Sequence, residues 1–126
     1  MLLEKVYMSK ILIVDDEEVI RFLISETLGL NEYELFQACD GIDALSVADS
    51  VKPDLLILDA VMPEMPGIEV ARNLASRGNK PAIVMLTANT DENDRIMALS
   101  CGVDYFMKKP FSPLELLELV EEILGE

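Results

Sequence analysis

Asp15, Asp16, Asp59, Thr87 and Lys109 each follow a short apolar run, Lys109 with Lys108 between, and their types together suit divalent-cation and phosphoryl chemistry. If those runs are parallel strands, all five side chains reach the same carboxyl edge of one sheet, where open α/β folds bind ligands. Singly, each has a structural use: an Asp pair caps a helix, Asp59 caps a loop, Thr87 closes a turn, and a Lys-Lys pair is solvated. Convergence of compatible groups from four separate loops is what marks a site. Two carboxylates about 5 Å apart repel by roughly 3 kcal/mol at an effective dielectric near 20, so three together call for a cation. Hard oxygen ligands select Mg²⁺, with Mn²⁺ as its substitute, over zinc. A phosphoryl group there would be held by the metal on one side and the Lys109 ammonium on the other. The nucleophile is expected to be a carboxylate, because the chain has no histidine, neither cysteine follows this pattern and Thr87 has no evident base. Asp59 is the best candidate, since it ends the most apolar run.

Five strand-like runs alternate with five helical patterns. Ile11 to Val14 and Leu55 to Leu58 read as strands buried on both faces, and Ala82 to Leu86 and Val103 to Met107 as two further strands. Tyr33 to Ala38 is more polar and suits an edge. Val19, Ile20, Leu23, Ile24, Thr27 and Leu28 recur at helical spacing before Gly29. Asp40 is placed to cap a helix carrying Ile42, Leu45 and Ala48. Ala60 to Gly67 forms a loop leading into a helix with Ile68, Ala71, Leu74 and Ala75 inward. Thr90 to Asn93 can start a helix running through Met97 and Leu99. Ser112 and Pro113 are an N-cap and N1 pair for a last helix reaching about Leu124. The alternation predicts an α/β fold, a doubly wound five-stranded parallel sheet with helices on both faces. One domain spans 1–126, with its core at about 9–124 and residues 1–8 as an N-terminal extension. The pattern stops right after the fifth helix, so no output domain is expected.

The chain of 126 residues carries 24 acidic and 10 basic side chains, a net charge of -14, with no basic patch. Direct nucleic-acid binding is therefore not expected, and a protein partner or a cation is. Cys39 and Cys101 have no metal-ligand spacing and suit a reducing compartment. No apolar run approaches the roughly 20 residues of a membrane helix, and a cytoplasmic protein is expected.

Ile11 to Asp16 (ILIVDD), Leu55 to Gly67 (LLILDAVMPEMPG), Val84 to Ala88 (VMLTA) and Gly102 to Phe111 (GVDYFMKKPF) resemble, in order and spacing, the four signatures of response-regulator receiver domains of two-component signalling. The resemblance covers roughly residues 9 to 124 and implies a flavodoxin-like strand order of 2-1-3-4-5. It implies Asp59 as phosphoacceptor, taking its phosphoryl group from a phosphohistidine on a histidine kinase or phosphotransferase. Asp16, Asp59 and the backbone carbonyl of Val61 would bind Mg²⁺ directly, and Asp15 largely through water. Lys109 matches the phosphate-binding lysine, and the bond to Pro110 is expected to be cis. Thr87 and an aromatic on the fifth strand form the switch. That aromatic is Phe106, where tyrosine is common, so the ring can turn inward but offers no hydroxyl. Tyr105 is expected on the opposite face. Val61 and Asn89 fall where the family tunes hydrolysis. The output surface would be helix 4, strand 5 and helix 5, controlling a downstream protein, with a phosphorylation-dependent dimer allowed. The last helix carries more apolar positions than one core stripe needs, to be taken up either by a partner or by a wide buried face.

Two other functions are weaker. A Mg²⁺-dependent aspartyl-phosphate phosphatase normally needs a second Asp two residues after the nucleophile, and Val61 stands there. A flavin- or nucleotide-binding protein needs a glycine-rich phosphate cradle, and the first strand is followed instead by Asp-Asp-Glu-Glu.

Overall fold

A computed structural model describes residues 8–78, 80–88 and 91–125; the 1–7 segment, Asn89 and Thr90 lie outside the described residues. Five strands alternate with five helices: β1 (Lys10–Val14), α1 (Glu18–Leu28), β2 (Glu34–Ala38), α2 (Gly41–Val51), β3 (Leu55–Asp59), α3 (Gly67–Ala75), β4 (Ala82–Thr87), α4 (Glu92–Ser100), β5 (Tyr105–Lys108) and α5 (Pro113–Leu124). All pairings are parallel and the order is β2-β1-β3-β4-β5. This is the doubly wound sheet expected from the alternation, in the flavodoxin-like order that the resemblance implies.

Successive strand residues point to opposite faces, so each apolar strand feeds two cores. Leu12, Val14, Leu56, Leu58, Ile83 and Met85 pack with α2, α3 and Ala98 of α4. Ile11, Ile13, Leu55, Ile57, Val84 and Leu86 pack with α1 and α5. β3 is buried along its whole length, whereas β2 at the edge keeps Glu34 and Gln37 exposed.

Asp40 accepts from the Asp43 N–H at 2.8 Å and Ser112 from the Glu115 N–H at 3.3 Å, the two caps read from the sequence. The helices bury a narrower set of apolar residues than their spacing alone indicates. On α1, Ile24 and Leu28 are buried, but Val19 and Leu23 are exposed; on α2, Ala44 is buried and Ile42 exposed; on α3, Val70 is buried and Ala75 exposed. A helix lying on a sheet buries a narrow stripe, and apolar residues one position off it stay in water. β5 starts two residues later than expected, because the Val103 N–H returns to the Ala98 carbonyl at 3.1 Å and the first link to β4 is Asp104 N–H to Ile83. α5 uses its extra leucines inward: Leu117, Leu119, Ile123 and Leu124 pack around buried Leu116 and Val120, leaving Leu114 exposed. The wide buried face is therefore the outcome.

Candidate functional site

Because β1, β3, β4 and β5 are parallel, their carboxyl ends lie at one edge, and hydrogen bonds continuing past the strands hold the next residues there. The Asp15 N–H donates to the Ala38 carbonyl (3.3 Å), Ala60 to Leu86 (2.9 Å) and Lys109 to Thr87 (2.9 Å). Lys109 is thereby carried from the end of β5 toward β3. Its Nζ lies 3.2 Å from Asp15 Oδ2 and 3.2 Å from Asp59 Oδ1. The Lys109–Pro110 bond is cis.

Asp15 is fully buried and Asp59 nearly so, while Asp16 is exposed. One carboxylate oxygen from each of the three lies within 4.8 Å of the others. Asp15 is held on both oxygens, Oδ1 taking the Glu17 N–H at 2.9 Å and Oδ2 the lysine. Asp59 Oδ1 takes Lys109 and, at 3.4 Å, the Val61 N–H. Above them is a cleft of about 290 Å³ lined by Asp16, Asp59, Val61, Thr87, Ala88 and Lys109 among others. All five residues singled out by spacing thus meet at one edge.

Burial lifts the Asp59 carboxyl above its ordinary value, and the Asp15 charge adds to this; Lys109 and the Val61 N–H oppose it without cancelling it. For Lys109 burial acts downward, but Asp15 and Asp59 outweigh it and the ammonium is held above its usual range. The site is therefore a neutralising lysine facing more negative charge than it can balance.

The donor set fits a hard divalent cation. Its ligating atoms are all carboxylate oxygens within 4.8 Å of one another, with no histidine or thiolate among them. Mg²⁺ or Mn²⁺ suits such a set, and the open cleft leaves room for waters or phosphate oxygens.

Phe106 pairs with Met85 in the β4–β5 register and packs against the α2–α3–α4 core, while Tyr105 is exposed on the alternate face. A second cleft of about 300 Å³, lined by Met85, Thr87, Arg95, Met97, Ala98 and Phe106 among others, lies between the Asp59 edge and α4. Arg95 places its guanidinium carbon 5.1 Å from the centre of the Phe106 ring. Neither this contact nor the role of Arg21 was read from the sequence. Arg21 donates to the Asp15 carbonyl at 2.8 Å and to Gln37 at 3.0 Å, tying α1 to the acidic loop. The residue types carry no signal of such pairings between separate elements.

The family model of the response regulator receiver domain matches residues 11–121. The chain belongs to this family. Receiver domains are signalling modules of two-component systems. The chain is 44% identical over 115 residues to the alkaline phosphatase synthesis transcriptional regulatory protein PhoP of Bacillus subtilis, covering 91% of this chain and 48% of that protein. It is 38% identical over 115 residues to the response regulator MprA of Mycobacterium avium, covering 91% of this chain and 50% of the relative. It therefore spans about half the length of the curated relatives it matches. Among solved structures, the chemotaxis protein CheY4 of Vibrio cholerae superposes with a TM-score of 0.88 at 33% identity, covering 93% of this receiver domain and 99% of CheY4. Among the described residues no helix is long and apolar enough to cross a membrane.

Proposed function

We propose that this receiver domain is a phosphorylation-operated switch with Asp59 as phosphoacceptor. The observation that carries the proposal is the Lys109 ammonium bridging Asp15 and Asp59, 3.2 Å from each, beneath an open acidic cleft. Lys109 and the Val61 N–H both donate to Asp59 Oδ1, and in this reading the other carboxylate oxygen, Oδ2, attacks the phosphorus of a phosphohistidine on a histidine kinase or phosphotransferase. An O–P bond forms, the N–P bond breaks, and the imidazole nitrogen keeps the bonding pair. Asp16, Asp59 and the Val61 carbonyl would hold Mg²⁺ directly, and Asp15 would act through water, in keeping with both its oxygens already having protein partners. When bound, Mg²⁺ supplies neutralising positive charge to the carboxylates and to the incoming phosphoryl oxygens.

Lys109 leaves its carboxylate pairing to meet the new phosphoryl charge, and the Thr87 hydroxyl turns to the same group. Phe106 then swings into the cleft it shares with Thr87, which has room for the ring. The face formed by α4, β5 and α5 changes shape and controls a downstream protein. Catalysis is confined to the domain's own phosphorylation and dephosphorylation. A phosphatase acting on other substrates lacks support, since Val61, two residues after Asp59, offers no acid or base.

The test is labelling with acetyl phosphate and Mg²⁺. Wild type is expected to gain one phosphoryl group and Asp59→Asn none. Labelling that survives in the variant would overturn the assignment, and multiple turnover on a phosphomonoester would favour the phosphatase.

A further inference from the structure

The loop from Ala60 to Gly67 is closed at its base, where the Ala60 N–H donates to the Leu86 carbonyl at 2.9 Å and the Gly67 N–H to the Ala60 carbonyl at 3.0 Å. Between those bonds Val61 has little packing of its own, with its side chain in water at 78% exposure, yet its N–H reaches Asp59 Oδ1 at 3.4 Å. Other residues of the loop must hold it there. Met62 is buried in the core beneath, and Met65 is half-buried against the start of α2. A methyl group on Gly41 would meet Met65 Cβ at 2.8 Å and its Cγ and Sδ at 2.9 Å, so the absence of a side chain at Gly41 is what lets the thioether chain lie against the helix. The backbone takes an unfavoured conformation to make this contact. Glu64 is left-handed at φ 71°, and the Pro63 carbonyl accepts from the Met65 N–H at 2.7 Å, the rare and strained form of γ-turn. A residue other than glycine stays in such a conformation only where its surroundings over-determine it, and the Met65–Gly41 contact directly follows the turn.

We infer that Met65, seated on Gly41, is a positioning residue for the phosphorylation site: it fixes Val61 beside Asp59 and so sets the place of the Val61 carbonyl relative to the carboxylates. The inference rests on the metal reading above, in which that carbonyl joins Asp16 and Asp59 around a divalent cation. The cleft over Asp59 is lined by Ala60 and Val61 and not by Met65, which acts through the loop backbone. Gly41 stands three residues after Ala38, whose carbonyl holds the Asp15 N–H at 3.3 Å. One contact thus ties the loop beyond Asp59 to the strand ends that carry the other two carboxylates, and the site keeps its spacing only while the contact holds.

Two readouts test this: Mn²⁺ binding, followed by loss of the free-ion EPR signal, and hydrogen exchange of the Val61 amide in metal-free protein. They are compared in wild type, Met65→Ala, Met65→Leu, Gly41→Ala and Val120→Ala, the last a truncation in the core on the other face of the sheet. Met65→Ala and Gly41→Ala are expected to weaken Mn²⁺ binding by about tenfold and to speed Val61 exchange. Met65→Leu, close in volume, should restore most of both. Val120→Ala should lower stability and leave both near wild type. In Met65→Ala, acetyl phosphate should still label Asp59 once Mg²⁺ is raised to saturation, a change in metal requirement with the phosphoacceptor intact. Equal losses in Val120→Ala would reduce the contact to general stability and overturn the inference. So would unchanged exchange and affinity in Met65→Ala. If wild type binds no Mn²⁺ while Val61 exchange still follows the Met65 variants, the positioning role stands and the metal reading falls.

Discussion

A methyl group added to Gly67 would sit 2.4 Å from the carbonyl oxygen of Asp59. The Gly67 N–H also donates to the Ala60 carbonyl at 3.0 Å, so the start of α3 is pressed against the backbone that carries the candidate phosphoacceptor. Gly67→Ala must push one or the other aside. A loss of about 1–3 kcal/mol in denaturant unfolding is expected, with slower labelling of Asp59 by acetyl phosphate. Unchanged stability and labelling would mean that the loop yields freely.

Asp59→Asn is expected to stabilise the metal-free protein at neutral pH. The folded carboxyl is raised above its ordinary 3.8, so the stability it allows is complete below that value and falls as pH rises through the elevated folded one. The variant lacks this fall, so its advantage in urea unfolding should shrink as the pH is lowered, in buffer with chelator. An advantage that grows in acid would contradict the burial argument.

Mg²⁺ should raise the stability of wild type by about 2.7 kcal/mol at one hundred times its dissociation constant, and that of Asp59→Asn much less. Thermal unfolding with and without the cation checks this. Equal gains in both proteins would place the cation elsewhere.

Lys109→Ala leaves two buried carboxylates without their shared cation, and a loss of about 1.5–3 kcal/mol is expected at neutral pH. Because the lysine is raised above 10.5, its contribution is complete at neutral pH and is lost only as pH climbs through the elevated value. The variant should regain stability on acidification or with added Mg²⁺. It should still label at Asp59 while Phe106 ring signals in NMR no longer respond.

Arg95→Gln removes the cation from the Phe106 ring. A partly exposed contact of this kind contributes about 0.5–1 kcal/mol, so the inward population of the ring should change by about two- to fivefold in NMR, and Arg95→Lys should restore part of it. No change would show the contact to be incidental to the switch.

The sequence by itself determined the order of elements, the parallel sheet and the five residues at its carboxyl edge. Each apolar run is local, and the polar residue that ends it must stand where the strand stops. Tertiary structure alone decided how those residues meet. Lys109 is 94 residues from Asp15 and 50 from Asp59, and only the β1-β3-β4-β5 order brings its amine within 3.2 Å of both. Likewise, Ile42 is as apolar as any core residue but stands in water, while Ala44 is buried, because the angle at which α2 rests on the sheet is set by its neighbours. Periodicity states that a helix has an apolar side; contact between elements distant in the chain chooses which residues fill it.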